Sequence, residues 1–130
     1  MIEAKATILV VDDDPSIRFS LGQAFQCMGH SVRAAEDGFS ALREMQETMP
    51  DILISDLNMA HMSGFELLCV IRRRFPSVYV IAMSAANFRG GIPAGIAADG
   101  FYEKSSAVVA LLKTVDNGES SDRLSFIASR

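Results

Sequence analysis

The chain has 130 residues, 49% of them hydrophobic and 22% charged, with a formal net charge of −4. That is enough for one domain with a core, too little for two full-sized ones, and too apolar for a disordered polypeptide. The acidic balance argues against a dominant nucleic-acid surface, and no apolar run approaches the ~20 residues of a membrane span.

The opening Met1-Ile2-Glu3-Ala4-Lys5 leads into an apolar stretch that ends in three aspartates, which is not the layout of a secretion signal. A cytoplasmic location, with no membrane contact, is therefore expected. Ile8-Leu9-Val10-Val11 is the first of three short, nearly continuous apolar runs rich in β-branched residues, the others being Ile52-Leu53-Ile54 and Val78-Tyr79-Val80-Ile81. Such runs suit strands of a parallel sheet covered on both faces. After Asp14, a natural N-cap, and Pro15, suited to a first helical turn, Ile17, Leu21, Ala24, Phe25 and Met28 recur at helical spacing until Gly29. Ser31 to Ala35 fits a short strand. Phe39, Leu42, Met45 and Met49 form a second helical stripe, and Leu67, Leu68, Ile71 and Phe75 a third. The third ends in Arg72-Arg73-Arg74, where cations favour a helix C-terminus.

From Asn87 to Gly100 four glycines and Pro93 leave room for at most a short helix about Ala94 to Ala98, so an irregular or mobile connection is expected. Phe101-Tyr102 fits a fifth strand, and Val108, Leu111, Leu112 and Val115 a last helix. Residues 117–130 begin Asn-Gly-Glu-Ser-Ser, a linker-like composition, and are set apart from a domain over residues 1–116. Cys27 and Cys69 lie within apolar-periodic segments without metal-ligand spacing and are expected to be buried thiols. His61 is expected in an exposed loop, and Phe19 lies off the buried stripe of the first helix.

Alternating strands and helices imply right-handed crossovers and an open α/β sheet, most economically five parallel strands between two helical layers, with the fourth helix short or irregular. Polar residues then stand at the carboxyl ends of four strands: Asp12 and Asp13 after the first, Asp56 after the third, Ser84 after the fourth and Lys104 after the fifth. Ligands of open α/β sheets bind at that end, where strand order reverses, so these side chains should share one crevice. Three carboxylates cannot all ionise together without a cation, and Mg²⁺, with Mn²⁺ as an alternative, is the hard ion that joins carboxylates to phosphate. Lys104 and Ser84 add a charge and a hydroxyl suited to phosphoryl oxygens, and a carboxylate is a competent nucleophile for phosphoryl transfer. Taken singly, each residue has a plainer explanation as a helix cap, a turn or an ordinary loop residue; the joint pattern carries the inference.

Val10-Val11-Asp12-Asp13-Asp14, Ser55-Asp56-Leu57-Asn58-Met59 with Gly64 behind it, Met83-Ser84-Ala85 and Phe101-Tyr102-Glu103-Lys104 together resemble the receiver domains of two-component response regulators, over residues 6 to about 116. The resemblance implies a flavodoxin-like, doubly wound five-stranded parallel sheet in the order 2-1-3-4-5 with helices on both faces, and a signalling switch rather than an enzyme, phosphorylated on Asp56 by a histidine kinase or phosphotransfer protein. It implies that Asp12, Asp13, Asp56 and the Asn58 carbonyl hold Mg²⁺. It implies further that Lys104 pairs with the phosphoryl group, that Ser84 hydrogen-bonds it, and that Phe101 is the aromatic whose rotamer follows activation. The output would be a protein partner or a further domain, without direct nucleic-acid binding here. Ala60 and Ser105 depart from the family's usual prolines, and a Lys104–Ser105 bond without proline need not be cis. Two alternatives stay open. One is a haloacid-dehalogenase-type phosphatase with Asp12 as nucleophile, whose usual glycine and threonine or valine are replaced here by Pro15-Ser16. The other is a receiver-like module that binds protein without phosphorylation.

Overall fold

The computed structural model describes residues 5–59, 61–85, 96–104 and 108–115. In chain order these form β1 (Thr7–Val11), α1 (Pro15–Cys27), β2 (Ser31–Ala35), α2 (Gly38–Glu47), β3 (Ile52–Asp56), α3 (Gly64–Arg74), β4 (Tyr79–Ser84), β5 (Gly100–Glu103) and a last helix, α4, over 108–115. The strands pair in parallel in the order β2-β1-β3-β4-β5. This is the doubly wound sheet expected from the sequence. The expected short helix lies largely outside the described residues, and Ile96, Ala97 and Ala98 have no regular secondary structure. The Lys104–Ser105 bond and the tail from 117 also lie outside them.

Strand side chains alternate between faces, so β1, β3 and β4 divide their apolar residues between two cores. Leu9, Val11, Leu53, Val80 and Ala82 meet Ala41 and Met45 of α2 and Leu67, Leu68 and Ile71 of α3. Ile8, Val10, Ile52, Ile54, Ile81 and Met83 meet Leu21 and Phe25 of α1 and Leu111 and Val115 of α4. Burial on both faces explains why these strands read as continuous apolar runs rather than alternating ones.

Two expectations need correction. The second helical stripe is not Phe39, Leu42, Met45 and Met49: α2 buries Gly38, Ala41 and Met45, while Phe39 and Met49 are exposed. Gly38 packs so closely on Met62 that a Cβ there would lie 2.6 Å from its sulfur, which turns the helix one residue from the reading based on large side chains. Met49 lies beyond the end of α2. Cys27 and Cys69 are exposed, not buried. Each follows the buried stripe of its helix by one or two residues, and at ~100° per residue that carries the thiol off the core face.

Local chemistry sets the helix ends. Gly29, at φ 96°, occupies the left-handed position after α1, and the His30 N–H returns to the Phe25 carbonyl at 3.1 Å. Arg72 at the end of α3 donates to an Asp99 carboxylate oxygen at 2.8 Å, and that same oxygen accepts the Val80 N–H at 2.8 Å. Part of the arginine run thus fastens the approach to β5 onto β4 and α3.

Asp14 caps α1, its carboxylate accepting the Ser16 N–H at 2.9 Å and the Ser16 hydroxyl at 2.7 Å. The hydroxyl bond, then the N–H bond, hold its carboxyl below the usual 3.8. A lowered folded-state value makes the cap's contribution full above the ordinary carboxylate range and lost as pH falls through the folded-state value. Asp14→Ala is therefore expected to be less stable than the parent at neutral pH and to converge with it in acid, as read by urea denaturation at several pH values. A constant difference down to the lowest pH would show that the carboxylate charge is not what caps α1.

Candidate functional site

Strand register delivers the site. Val11 pairs with Ser55, so the next residues, Asp12 and Asp56, leave β1 and β3 side by side, where the sheet's connections diverge. Asp56 pairs with Met83, which puts Ser84 one step on, and Ser84 pairs with Glu103, which puts Lys104 one step further. The polar residues singled out at the strand ends therefore converge.

Lys104 is the hub: its Nζ lies 2.7 Å from Asp12 Oδ2 and 3.0 Å from Asp56 Oδ2. Asp12 and Asp56 are buried, whereas Asp13 faces solvent. The second oxygen of Asp12 accepts the Asp14 N–H at 2.9 Å, and that of Asp56 accepts the Asn58 N–H at 3.1 Å. The Asn58 side-chain amide reaches the buried Ser84 hydroxyl at 3.4 Å. The Lys104 N–H donates to the Ser84 carbonyl and the Leu57 N–H to the Met83 carbonyl, both at 2.8 Å, so the turn after β3 and the lysine are fixed by backbone.

Gly64 at the start of α3 completes the cradle. A Cβ there would lie 2.1 Å from the Asp56 carbonyl oxygen and 2.4 Å from Leu57 Cα, so only glycine allows the helix to approach the turn after β3.

The electrostatics are unbalanced. Burial pushes the Asp12 carboxyl above the usual 3.8, against the pull of Lys104 and the Asp14 N–H. For Lys104, burial alone would lower the ammonium value, but the hydrogen bonds and charges of Asp12 and Asp56 outweigh it and hold it above the usual 10.5. One ammonium thus serves two buried carboxylates and still leaves Asp12 reluctant to ionise. One oxygen each from Asp12, Asp13 and Asp56 lies within 4.8 Å of the others, a hard donor set with charge to spare and able to hold a metal ion.

Phe101 is half-buried on β5 against the core shared with α2 and α3. His61 is exposed, at φ 70°, and lines a shallow pocket with Asp13, Glu36 and Asp37. Phe19 is 66% exposed on α1, consistent with its place off the buried stripe. Sequence reasoning missed Arg18, whose Nη1 donates to the Asp12 carbonyl at 2.6 Å. Its position one turn into α1 was visible, but a bond to a backbone carbonyl has no signature in residue types.

A five-stranded parallel sheet with an acidic pocket and a lysine at its switch point defines a phosphoacceptor class of signalling domain. Residues 8–116 match the response regulator receiver domain family, and the chain belongs to that family. It is a signalling switch rather than an enzyme in its own right. In sequence it is 40% identical over 81 residues to the DNA-binding transcriptional regulator NtrC of Proteus hauseri, covering 62% of this chain and 17% of that protein. It is 38% identical over 98 residues to the transcriptional regulatory protein GlrR of Escherichia coli K12, covering 75% of this chain and 21% of that protein. The chain thus spans about a fifth of the length of these relatives. In structure it is similar to the chemotaxis response regulator CheY4 of Vibrio cholerae, with a TM-score of 0.80 and 29% identity over 90% of this chain and 99% of that one. It is also similar to the response regulator TrrA of Thermotoga maritima in complex with Mg(2+)-BeF, with a TM-score of 0.78 and 32% identity over 86% and 97% of the two chains. No helix among the described residues is long and apolar enough to cross a membrane.

Proposed function

We propose that Asp56 accepts a phosphoryl group from the phosphohistidine of a sensor kinase or phosphotransfer protein, and that the acyl phosphate switches the domain for a downstream partner. The observation that carries this reading is the Lys104 ammonium poised between the Asp12 and Asp56 carboxylates, beside three carboxylate oxygens that lie within 4.8 Å of one another. An Asp56 oxygen attacks phosphorus, the P–N bond breaks with its electron pair leaving on the donor imidazole, and the imidazole takes up a proton. Water later cleaves the acyl phosphate, restoring the carboxylate and releasing inorganic phosphate. Mg²⁺, with Mn²⁺ as a substitute, would be held by Asp12, Asp13, Asp56 and the Asn58 carbonyl, and would supply the positive charge that offsets the crowded carboxylates and the transferred group.

The protein's own groups do the rest. Lys104 exchanges a carboxylate partner for a phosphoryl oxygen, Ser84 donates its hydroxyl to another, and Phe101, three residues before the lysine on β5, turns inward as that end of the sheet tightens. The kinship with NtrC and GlrR, both named as transcriptional regulators, supports an output in gene control through a further domain or partner. Incubation with acetyl phosphate should give an adduct of one phosphoryl group by intact-mass spectrometry, only with Mg²⁺ or Mn²⁺ present, stable in acid and labile in alkali. An adduct that forms equally in chelator would refute the metal-dependent reading.

Lys104→Ala separates the lysine's two roles. It leaves the buried Asp12 carboxylate without its counter-charge, a loss of about 2–3 kcal/mol, discounted from the ~3–5 of a fully buried pair because the lysine side chain is 19% exposed. Mg²⁺ should restore much of that stability, while the spectral change on adding beryllofluoride is lost. A variant that responds to beryllofluoride as the parent does would remove Lys104 from the switch.

A further inference from the structure

We infer that Arg18 is a positioning residue for the metal site, acting through the Asp12–Asp13 peptide to aim the Asp13 carboxylate. The inference rests on the proposed metal-dependent phosphoacceptor function and extends it to a residue outside the carboxylate set.

Asp12 is hydrogen-bonded through its N–H, one carboxylate oxygen and its carbonyl, and its other carboxylate oxygen is ion-paired with Lys104. Its N–H donates to the Ala35 carbonyl at 3.1 Å, its carboxylate takes the Asp14 N–H at 2.9 Å and the Lys104 ammonium at 2.7 Å, and its carbonyl takes Arg18 Nη1 at 2.6 Å. Asp13 is the opposite case: it is exposed, and among the described residues neither its backbone nor its side chain has a hydrogen-bond or ion-pair partner. β1 stops pairing at Val11, and helical bonding resumes only when the Arg18 N–H reaches the Asp14 carbonyl at 3.2 Å. The direction of the Asp13 side chain is therefore set by the two peptides that flank it. One is fixed by the Asp12 carboxylate through the Asp14 N–H; the other is fixed by the Arg18 guanidinium. Without Arg18 the Asp12 carbonyl loses its side-chain anchor, the peptide can rotate, and the Asp13 oxygen no longer keeps its place beside those of Asp12 and Asp56.

Charge alone predicts the reverse effect, which makes the inference testable. Arg18 is a cation beside a cation site, so as a mere charge its removal would tighten Mg²⁺ binding. As a positioning residue its removal weakens binding, by about tenfold, the lower end of what loss of such outer partners typically costs. Mg²⁺ affinity is measured by calorimetry on the parent, Arg18→Met, Asp13→Asn and the double variant, with metal-free thermal melting to choose a temperature at which all four are folded. Methionine retains much of the apolar stem, and Arg18→Lys, which keeps a charge and a single donor, is expected to fall between the parent and Arg18→Met. The expected result is a loss of about tenfold for Arg18→Met alone and almost none when it is added to Asp13→Asn, because the group it aims is already gone. Unchanged or tighter binding in Arg18→Met, or a loss that recurs in full on the Asp13→Asn background, overturns the inference. A parent chain that fails to bind Mg²⁺ would instead overturn the metal reading of the site itself, and the role of Arg18 with it.

Discussion

Asp56→Asn should abolish the phosphoryl adduct completely while leaving the domain folded. Asparagine keeps the oxygen that accepts the Asn58 N–H at 3.1 Å, so the turn after β3 retains its anchor. The amide removes one of two carboxylates that share Lys104, which relieves repulsion on buried Asp12 and makes the metal-free variant as stable as the parent or more so. What is lost is the nucleophile, since an amide oxygen does not form a stable acyl phosphate. Intact-mass spectrometry after acetyl phosphate and Mg²⁺ reads the outcome directly. Labelling that survives this change would place the nucleophile elsewhere, and labelling that disappears only with Asp12→Asn while metal binding persists would move it to Asp12 and favour phosphatase chemistry.

Gly64→Ala carries a large expected penalty in stability for the smallest change in side chain. The added methyl would sit 2.1 Å from the Asp56 carbonyl oxygen and 2.4 Å from Leu57 Cα, both backbone atoms that cannot turn aside. Either α3 withdraws from the acceptor turn or the turn shifts, and overpacking of this kind costs about 1–3 kcal/mol and occasionally more. Movement of the turn also displaces the Asp56 backbone, so adduct formation should slow in the molecules that remain folded. Urea denaturation and the rate of adduct formation measured on one preparation test both effects. A variant with the parent's midpoint and rate would show that α3 does not need to approach so closely.

The strands are legible in the sequence because β1, β3 and β4 are buried on both faces, which leaves few polar residues to interrupt their β-branched runs. The convergence of the acids is legible for a related reason: a sheet wound in this order has one place where carboxyl ends meet, and the register of Val11 with Ser55 and of Asp56 with Met83 brings them together there. The misreadings concern which way a helix turns and what the backbone holds. Gly38 and Ala41, not Phe39, face the core, because Met62 from a distant loop fills the space a larger side chain would need. The exposed Cys27 and Cys69 reflect the same limit, since an apolar-looking residue in an amphipathic helix can sit a step off the buried stripe. Arg18 could not be found at all by residue type, because its partner is the Asp12 carbonyl, a group every residue carries.

Locating the phosphoryl group itself decides whether Asp56 is the acceptor. The chain is phosphorylated with a histidine-phosphorylated donor and Mg²⁺, reduced with borohydride, which converts an acyl phosphate to the corresponding alcohol, and digested for peptide mass mapping. Homoserine is expected at position 56, with unaltered aspartate at positions 12 and 13. Homoserine at either of those positions, with aspartate intact at 56, would contradict Asp56 as the acceptor.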